Sequence, residues 1–162
     1  TGLTSAYRAY QFVFTNVKNS WPSSNETVGK GMLVQFSNNN GSSYEVSSGY
    51  SYVTTSGQVQ NSGNGEININ IKANNRTGSS GNGTFTLWNP GVTGVAPSFN
   101  WQGAYVYSGA PGYGESVAGQ GIGGGAMVVA AGVGYNPVNA VRFYWESGAT
   151  WTSGTWKVFG IS

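Results

Sequence analysis

Glu66-Ile67-Asn68-Ile69-Asn70-Ile71-Lys72 alternates apolar and polar residues without a break. Successive side chains of a strand point to opposite faces, so Ile67, Ile69 and Ile71 share one face and the asparagines share the other. Isoleucine is β-branched and suits a pleated, half-buried surface. The segment therefore predicts a strand with one face in a core and one in water.

The same two-residue period recurs on both sides of it. Tyr10-Gln11-Phe12-Val13-Phe14 predicts a strand ending at Asn16. Met32 to Phe36 predicts another, closing in Asn38-Asn39-Asn40-Gly41, where Asn-Gly suits the positive φ values of a tight turn. Tyr50 to Thr54 is expected to return antiparallel from that turn. Thr84–Trp88, Phe99–Tyr107, Ala126–Ala131, Ala140–Trp145 and Thr155–Ile161 follow, separated by turn residues as in a sandwich or barrel. The echo of Ser147-Gly148-Ala149-Thr150-Trp151 in Ser153-Gly154-Thr155-Trp156 suggests one closing hairpin. No segment of helical length carries a 3.6-residue period with caps. The expected fold is all-β, an antiparallel jelly-roll-like β-sandwich with little or no helix, forming one domain over residues 1–162. The last strand runs almost to Ser162, whereas Thr1-Gly2-Leu3 looks like a cut through a longer chain, so a C-terminal piece of a larger protein is expected.

Composition narrows the chemistry. Charged residues make up 7% of the 162 residues, against roughly 25% in an ordinary globular chain. Abundant aromatic and apolar residues argue for a packed domain rather than disorder. The chain lacks His, Cys and Asp, which removes Ser-His-Asp and Cys-His catalytic arrangements, His- or Cys-based zinc sites and Asp-led calcium loops. No metal or cofactor is expected. Glu26, Glu45, Glu66, Glu115 and Glu146 are the only acids and form no local pair. A glycosidase needs two carboxylates flanking one bond, and here two could meet only through the fold. Lys18, Lys30, Lys72, Arg76, Arg142 and Lys157 form no cluster able to neutralise a row of phosphates. Neither a signal peptide nor an apolar run long enough to span a bilayer is visible. Asn25, Asn40, Asn75 and Asn82 stand in N-x-S/T sequons, but 17 asparagines among so many Ser and Thr produce that number by chance.

One stretch carries binding chemistry. Trp101, Tyr105, Tyr107 and Tyr113 lie between Trp101 and Gly114, with Asn100 and Gln102 beside them. Sugars offer apolar C–H faces to aromatic rings and hydroxyls to amides, and a Tyr/Trp segment rich in Gly and Ser supplies both. Trp101 also alternates with Asn100 and Gln102, which favours a core position; Tyr113, in a Gly/Pro turn, favours exposure. Trp145, Trp151 and Trp156 surround the expected hairpin, with Trp151 in its turn and the most exposed of the three. Arg142 alternates with Val141 and Phe143 and is expected to face outward, with Glu146 as a possible partner. Trp88-Asn89-Pro90 has the look of a strand-to-loop corner. The run Gly112–Gly125 superficially suggests a phosphate cradle, yet it contains no Lys and no helix is expected after it. A surface loop or close glycine packing is the expectation there.

Two stretches resemble the C-terminal β-sandwich domains of bacteriophage tail fibres and tailspikes. The first runs Tyr7-x-x-Tyr10-x-Phe12-Val13-Phe14-x-Asn16-Val17, then Leu33-x-Gln35-Phe36-Ser37, Asn39-Asn40-Gly41, Ser43-Tyr44 and Gly49-Tyr50-x-Tyr52. The second is Val141-Arg142-Phe143-Tyr144, Ser147-Gly148, Ser153-Gly154-Thr155, Val158 and Gly160-Ile161. The segment from Gly57 to Gly134 matches in composition alone. Where the family's turn often carries Asp-Gly this chain has Asn-Gly, and a cation held by such an Asp would be lost. The resemblance implies a virion domain, usually homotrimeric, that contacts bacterial surface polysaccharide (lipopolysaccharide or capsule) or protein, without catalysis. Trp101, Tyr105, Tyr107, Tyr113, Trp151, Asn100 and Gln102 are then the expected carbohydrate ligands. A ligand-free trimerisation domain and a two-glutamate glycosidase are the alternatives. Nucleic acid and membrane insertion are not expected.

Overall fold

The computed structural model describes residues 2–21, 29–44, 50–54, 59–62, 65–108, 116–127 and 136–162. Ten strands follow in order: β1 (Ala9–Asn19), β2 (Lys30–Ser37), β3 (Tyr50–Thr54), β4 (Val59–Ser62), β5 (Ile67–Ala73), β6 (Ser80–Trp88), β7 (Ser98–Ser108), β8 (Ser116–Met127), β9 (Ala140–Trp145) and β10 (Trp151–Ile161). A three-residue 3-10 turn, Glu146–Gly148, is the one helical element among the described residues. The strands form two antiparallel sheets, a large one ordered β10-β1-β6-β7-β8-β3-β4 and a small one ordered β5-β2-β9. The fold is the antiparallel β-sandwich that the alternation implies.

The core lies between the sheets. Ile67, Ile69 and Ile71 of β5 are fully buried, as are Phe85 and Leu87 of β6. Phe12, Phe36, Phe85, Phe99 and Phe143 form a chain of ring contacts across the two layers, with centroids 4.9 to 6.3 Å apart. Such edge and offset arrangements satisfy the ring quadrupoles as well as burying area.

Several local expectations change. The Asn40-Gly41 turn forms, with φ of 59° and 83°, but β3 does not return beside β2. It leaves the small sheet and pairs with β8 and β4 in the large one. Likewise β9 pairs with β2 and β10 pairs with β1, so the last two strands span the sandwich rather than making a hairpin. The turn Ser147-Gly148, both with positive φ, is a corner between layers. Strand β1 continues past Asn16, which sits at φ 53° where the register with β10 and β6 shifts. A left-handed residue in mid-strand marks a bulge, not a terminus. Strand β4 was not anticipated. Of the strand expected at Ala126–Ala131, residues 128–131 lie outside the described residues.

The glycine-rich segment, as far as it is described, is strand and not surface loop. In β8, Gly119 faces the ring of Tyr105 and Gly123 faces that of Trp101, each so closely that a Cβ would overlap the ring. Aromatic side chains of β7 thus lie flat over the backbone of the neighbouring strand, which only glycine permits.

Candidate functional site

The small sheet is too narrow to cover the large one. β9 crosses β1, where Phe143 meets Phe12 and Phe14 at 4.9 and 4.8 Å, and beyond it no strand among the described residues lies opposite β10. The result is an open groove of about 770 Å³ between two sheet edges. Tyr10, Phe12, Phe14, Trp156 and Val158 line it from the large sheet, and Val141, Arg142 and Phe143 from β9. Trp151 lines it too, 5.2 Å from Trp145. Strand β10 is exposed on both faces along nearly its whole length. Trp156 is 61% exposed, Phe159 49%, Val158 41% and Trp151 40%. Trp156, not Trp151, is therefore the most exposed of the three C-terminal tryptophans, because β10 forms an uncovered sheet edge rather than half a hairpin.

The second surface is the outer face of the large sheet. Register places Phe159, Gln11, Thr86, Asn100, Gly124 and Val53 in one row across six strands, and Lys157, Val13, Thr84, Gln102 and Ile122 in the next. Side chains of a strand alternate in direction. The small sheet covers the opposite face, where Phe12, Phe85, Trp101 and Tyr52 are buried. On the outer face Asn100 and Gln102 are exposed. Trp88, 41% exposed, donates its indole N–H to Asn100 Oδ1 at 2.9 Å. Trp88 pairs with Ser98, and Asn100 with Thr86, so this bond runs diagonally and holds the indole along the sheet. Ala9, paired with both Trp88 and Ile161, is fully buried despite facing outward.

The expected ligands thus separate. Asn100 and Gln102 lie on the outer face, and Trp151 lines the groove. Trp101 and Tyr107 are buried, with 1% and 7% exposure, and cannot meet a ligand in this fold. Tyr105 is half-buried and stacks on Tyr107 with ring centroids 6.0 Å apart; burial raises its pKa. These three were grouped with the amides because they are near in sequence, but period two sends them to the inner face. Tyr113 lies outside the described residues. The exposure of Trp88 on the outer face was not among the sequence expectations. Its parity with Thr84 and Thr86, opposite to Phe85 and Leu87, was the available signal.

Titratable groups gather on the outer face of the small sheet. Tyr144 donates its hydroxyl to Glu66 Oε2 at 2.6 Å. Burial and that carboxylate hold the Tyr144 hydroxyl protonated far above the ordinary tyrosine range. Glu146 accepts from Asn68 Nδ2 at 2.8 Å and from the Gly31 N–H at 2.9 Å. Arg142 is exposed, as expected, but its guanidinium donates to Gln35 Oε1 and rests over the rings of Tyr44 and Tyr144 at 4.4 and 4.9 Å. Glu26, Glu45 and Glu115 lie outside the described residues. Among those described, no group of three His, Cys, Asp or Glu could hold a metal ion, and no helix is long and apolar enough to cross a membrane. No family model, curated protein or solved structure matches this chain.

Proposed function

We propose that this chain is a non-catalytic attachment domain, the receptor-binding tip of a bacteriophage tail fibre or tailspike, which works as a homotrimer on bacterial surface carbohydrate. The observation that carries the reading is β10, a terminal strand exposed on both faces beside an apolar groove. Long exposed apolar edges invite pairing, and proteins usually blunt them with charge, proline or bulges. Here Lys157 is the only charge on the strand. Its pairing with β1 is irregular only toward its start, where the register shifts on both sides of the Lys18–Ser153 pair.

A second copy of the chain is the occupant that fits. The strand carries both the protruding side chains and part of the groove lining, and its near-neutrality brings little like-charge repulsion between copies. A strand of 11 residues is about 36 Å long, and its two faces and free edge span roughly 20 Å. Covering them buries on the order of 700 Å² per partner, near the roughly 800 Å² of a standard stable interface. Heterologous contacts of this kind close into rings, and three-fold closure suits a fibre axis.

Support for attachment without catalysis comes from the composition, which holds no His, Cys or Asp. The test pairs sedimentation of the purified domain with binding of the labelled domain to a panel of bacterial strains and their extracted polysaccharides. A trimer that binds selected strains and leaves the polymer uncut is expected. A folded trimer that binds no strain would favour the structural reading, and cleaved polymer would favour the enzymatic one.

A further inference from the structure

We infer that the outer face of the large sheet is a saccharide site centred on Trp88, and that it selects neutral over acidic sugars. The inference rests on the attachment reading and gives it a place and a ligand class.

Three observations converge on this face. The first is a fixed aromatic platform. Trp88 is partly open to solvent, yet its indole N–H is held by Asn100 at 2.9 Å. An unheld surface tryptophan loses rotamer freedom when a ligand stacks on it, whereas a ring already held loses less, which is the advantage of preorganisation. Asn100 is therefore a positioning residue, because its Oδ1 is engaged with the indole and it acts on a ligand through the ring.

The second is the polar complement. Gln11, Thr84 and Gln102 occupy the neighbouring positions of the same face on β1, β6 and β7. Amides and hydroxyls each both donate and accept, as sugar hydroxyls do. Apolar side chains of the same rows, Val53, Ile122 and Phe159, are exposed beyond them, so the face offers both the apolar contact and the hydrogen bonds that a sugar uses.

The third is the charge pattern. Lys157, on the edge strand, is the only ionisable side chain in the two rows that contain these residues. Within these two rows an acidic polysaccharide meets one cation, at the margin; the exposed Arg8 immediately precedes Ala9, the β1 partner of Trp88, and Arg142 belongs to the other sheet.

The test measures affinity for isolated repeat-unit oligosaccharides, so that multivalency does not mask the site. The probes are neutral O-antigen repeats and uronic-acid-containing capsular repeats from the same strain panel, applied to the full chain. Binding is read by tryptophan fluorescence and by a label-free sensor. A neutral repeat should bind, with affinity falling at least tenfold in Trp88→Ala and severalfold in Asn100→Ala. Trp88→Phe should retain part of the binding. Gln102→Arg changes an exposed side chain without touching the core, and should weaken binding while leaving the melting curve unchanged. Val158→Lys, in the groove, should leave the affinity for the isolated repeat unaltered.

If a repeat binds equally well to wild type, Trp88→Ala and Gln102→Arg, the site is elsewhere and the inference fails while attachment stands. A preference for the acidic repeats overturns the ligand class. Cell binding with no affinity for any saccharide overturns the inference and leaves attachment to a protein receptor. Absence of both cell and saccharide binding removes the inference and the attachment reading together.

Discussion

The two flanks of the sandwich treat the same kinds of residue in opposite ways. On the β5 flank, Ile71 rests directly on the backbone of the large sheet, and Cβ atoms placed at Gly83 and Gly103 would come within about 2.7 Å of it. Ile67, Ile69 and Ile71 are all fully buried. On the β9–β10 flank, Trp156 and Val158 face a groove with no strand above them. Both flanks are apolar, and only one is sealed within a single chain. The difference arises from strand number, since three strands cannot roof seven. The sealed flank should therefore report on folding, and the open flank on association.

The largest test of that division is Ile71→Ala. Removing a buried side chain from a site that cannot collapse should cost about 2–5 kcal/mol. The melting temperature should fall by roughly 2–4 °C for each kcal/mol in a chain of this size. A loss below about 1 kcal/mol would mean that the β5 flank is less tightly packed than the geometry indicates.

Gly103→Ala probes the same flank from the other side. The added methyl meets Ile71 and the Asn82 carbonyl oxygen, and overpacking of this kind costs about 1–3 kcal/mol. Denaturant unfolding should show a lower midpoint with an unchanged slope.

On the open flank, Val158→Lys places a charge on an exposed strand and should change the stability of an isolated protomer by no more than about 0.5 kcal/mol. Sedimentation should nevertheless show loss of the proposed trimer. If the variant remains trimeric, β10 is not the interface. If it fails to fold, the open flank contributes to the core and the division is wrong.

The smallest effect concerns pH. The Tyr144 pKa is raised, first by burial and then by its bond to the Glu66 carboxylate. A raised folded pKa gives stability that is fully present below the unfolded value, about 10 for tyrosine, and is lost as pH rises from there toward the folded value. Tyr144→Phe should lower stability at pH 7, where the bond to Glu66 is intact, and should flatten the fall in stability above pH 10. Tyr52, raised chiefly by burial, should keep part of that slope. A slope identical in wild type and Tyr144→Phe would show that the Tyr144–Glu66 bond contributes nothing to it.

On both flanks the strands were legible in the sequence and their pairing was not. Strand β9 was legible to the residue, and β5 nearly so, because alternation against solvent is a local signal. Pairing was not legible. The Asn40-Gly41 turn and the Ser147-Gly148 corner both suggested hairpins, yet each joins strands of different sheets. Turn chemistry specifies backbone angles, and those angles do not state which strand lies alongside. The amides Asn100 and Gln102 were placed correctly on an open face. Trp101 and Tyr107 followed the parity argument inward, against their assignment as ligands.

By itself the sequence determined the β class, the strand faces and the exclusion of His, Cys and Asp chemistry, because these depend on residue type and a period of two. Only the tertiary structure decided that β8 is a glycine strand packed under aromatic rings, that Trp88 and Asn100 meet, and that β10 is left uncovered. Each of these depends on which strands become neighbours. That choice is made by burial summed over two whole sheets, and no local stretch of sequence carries that sum.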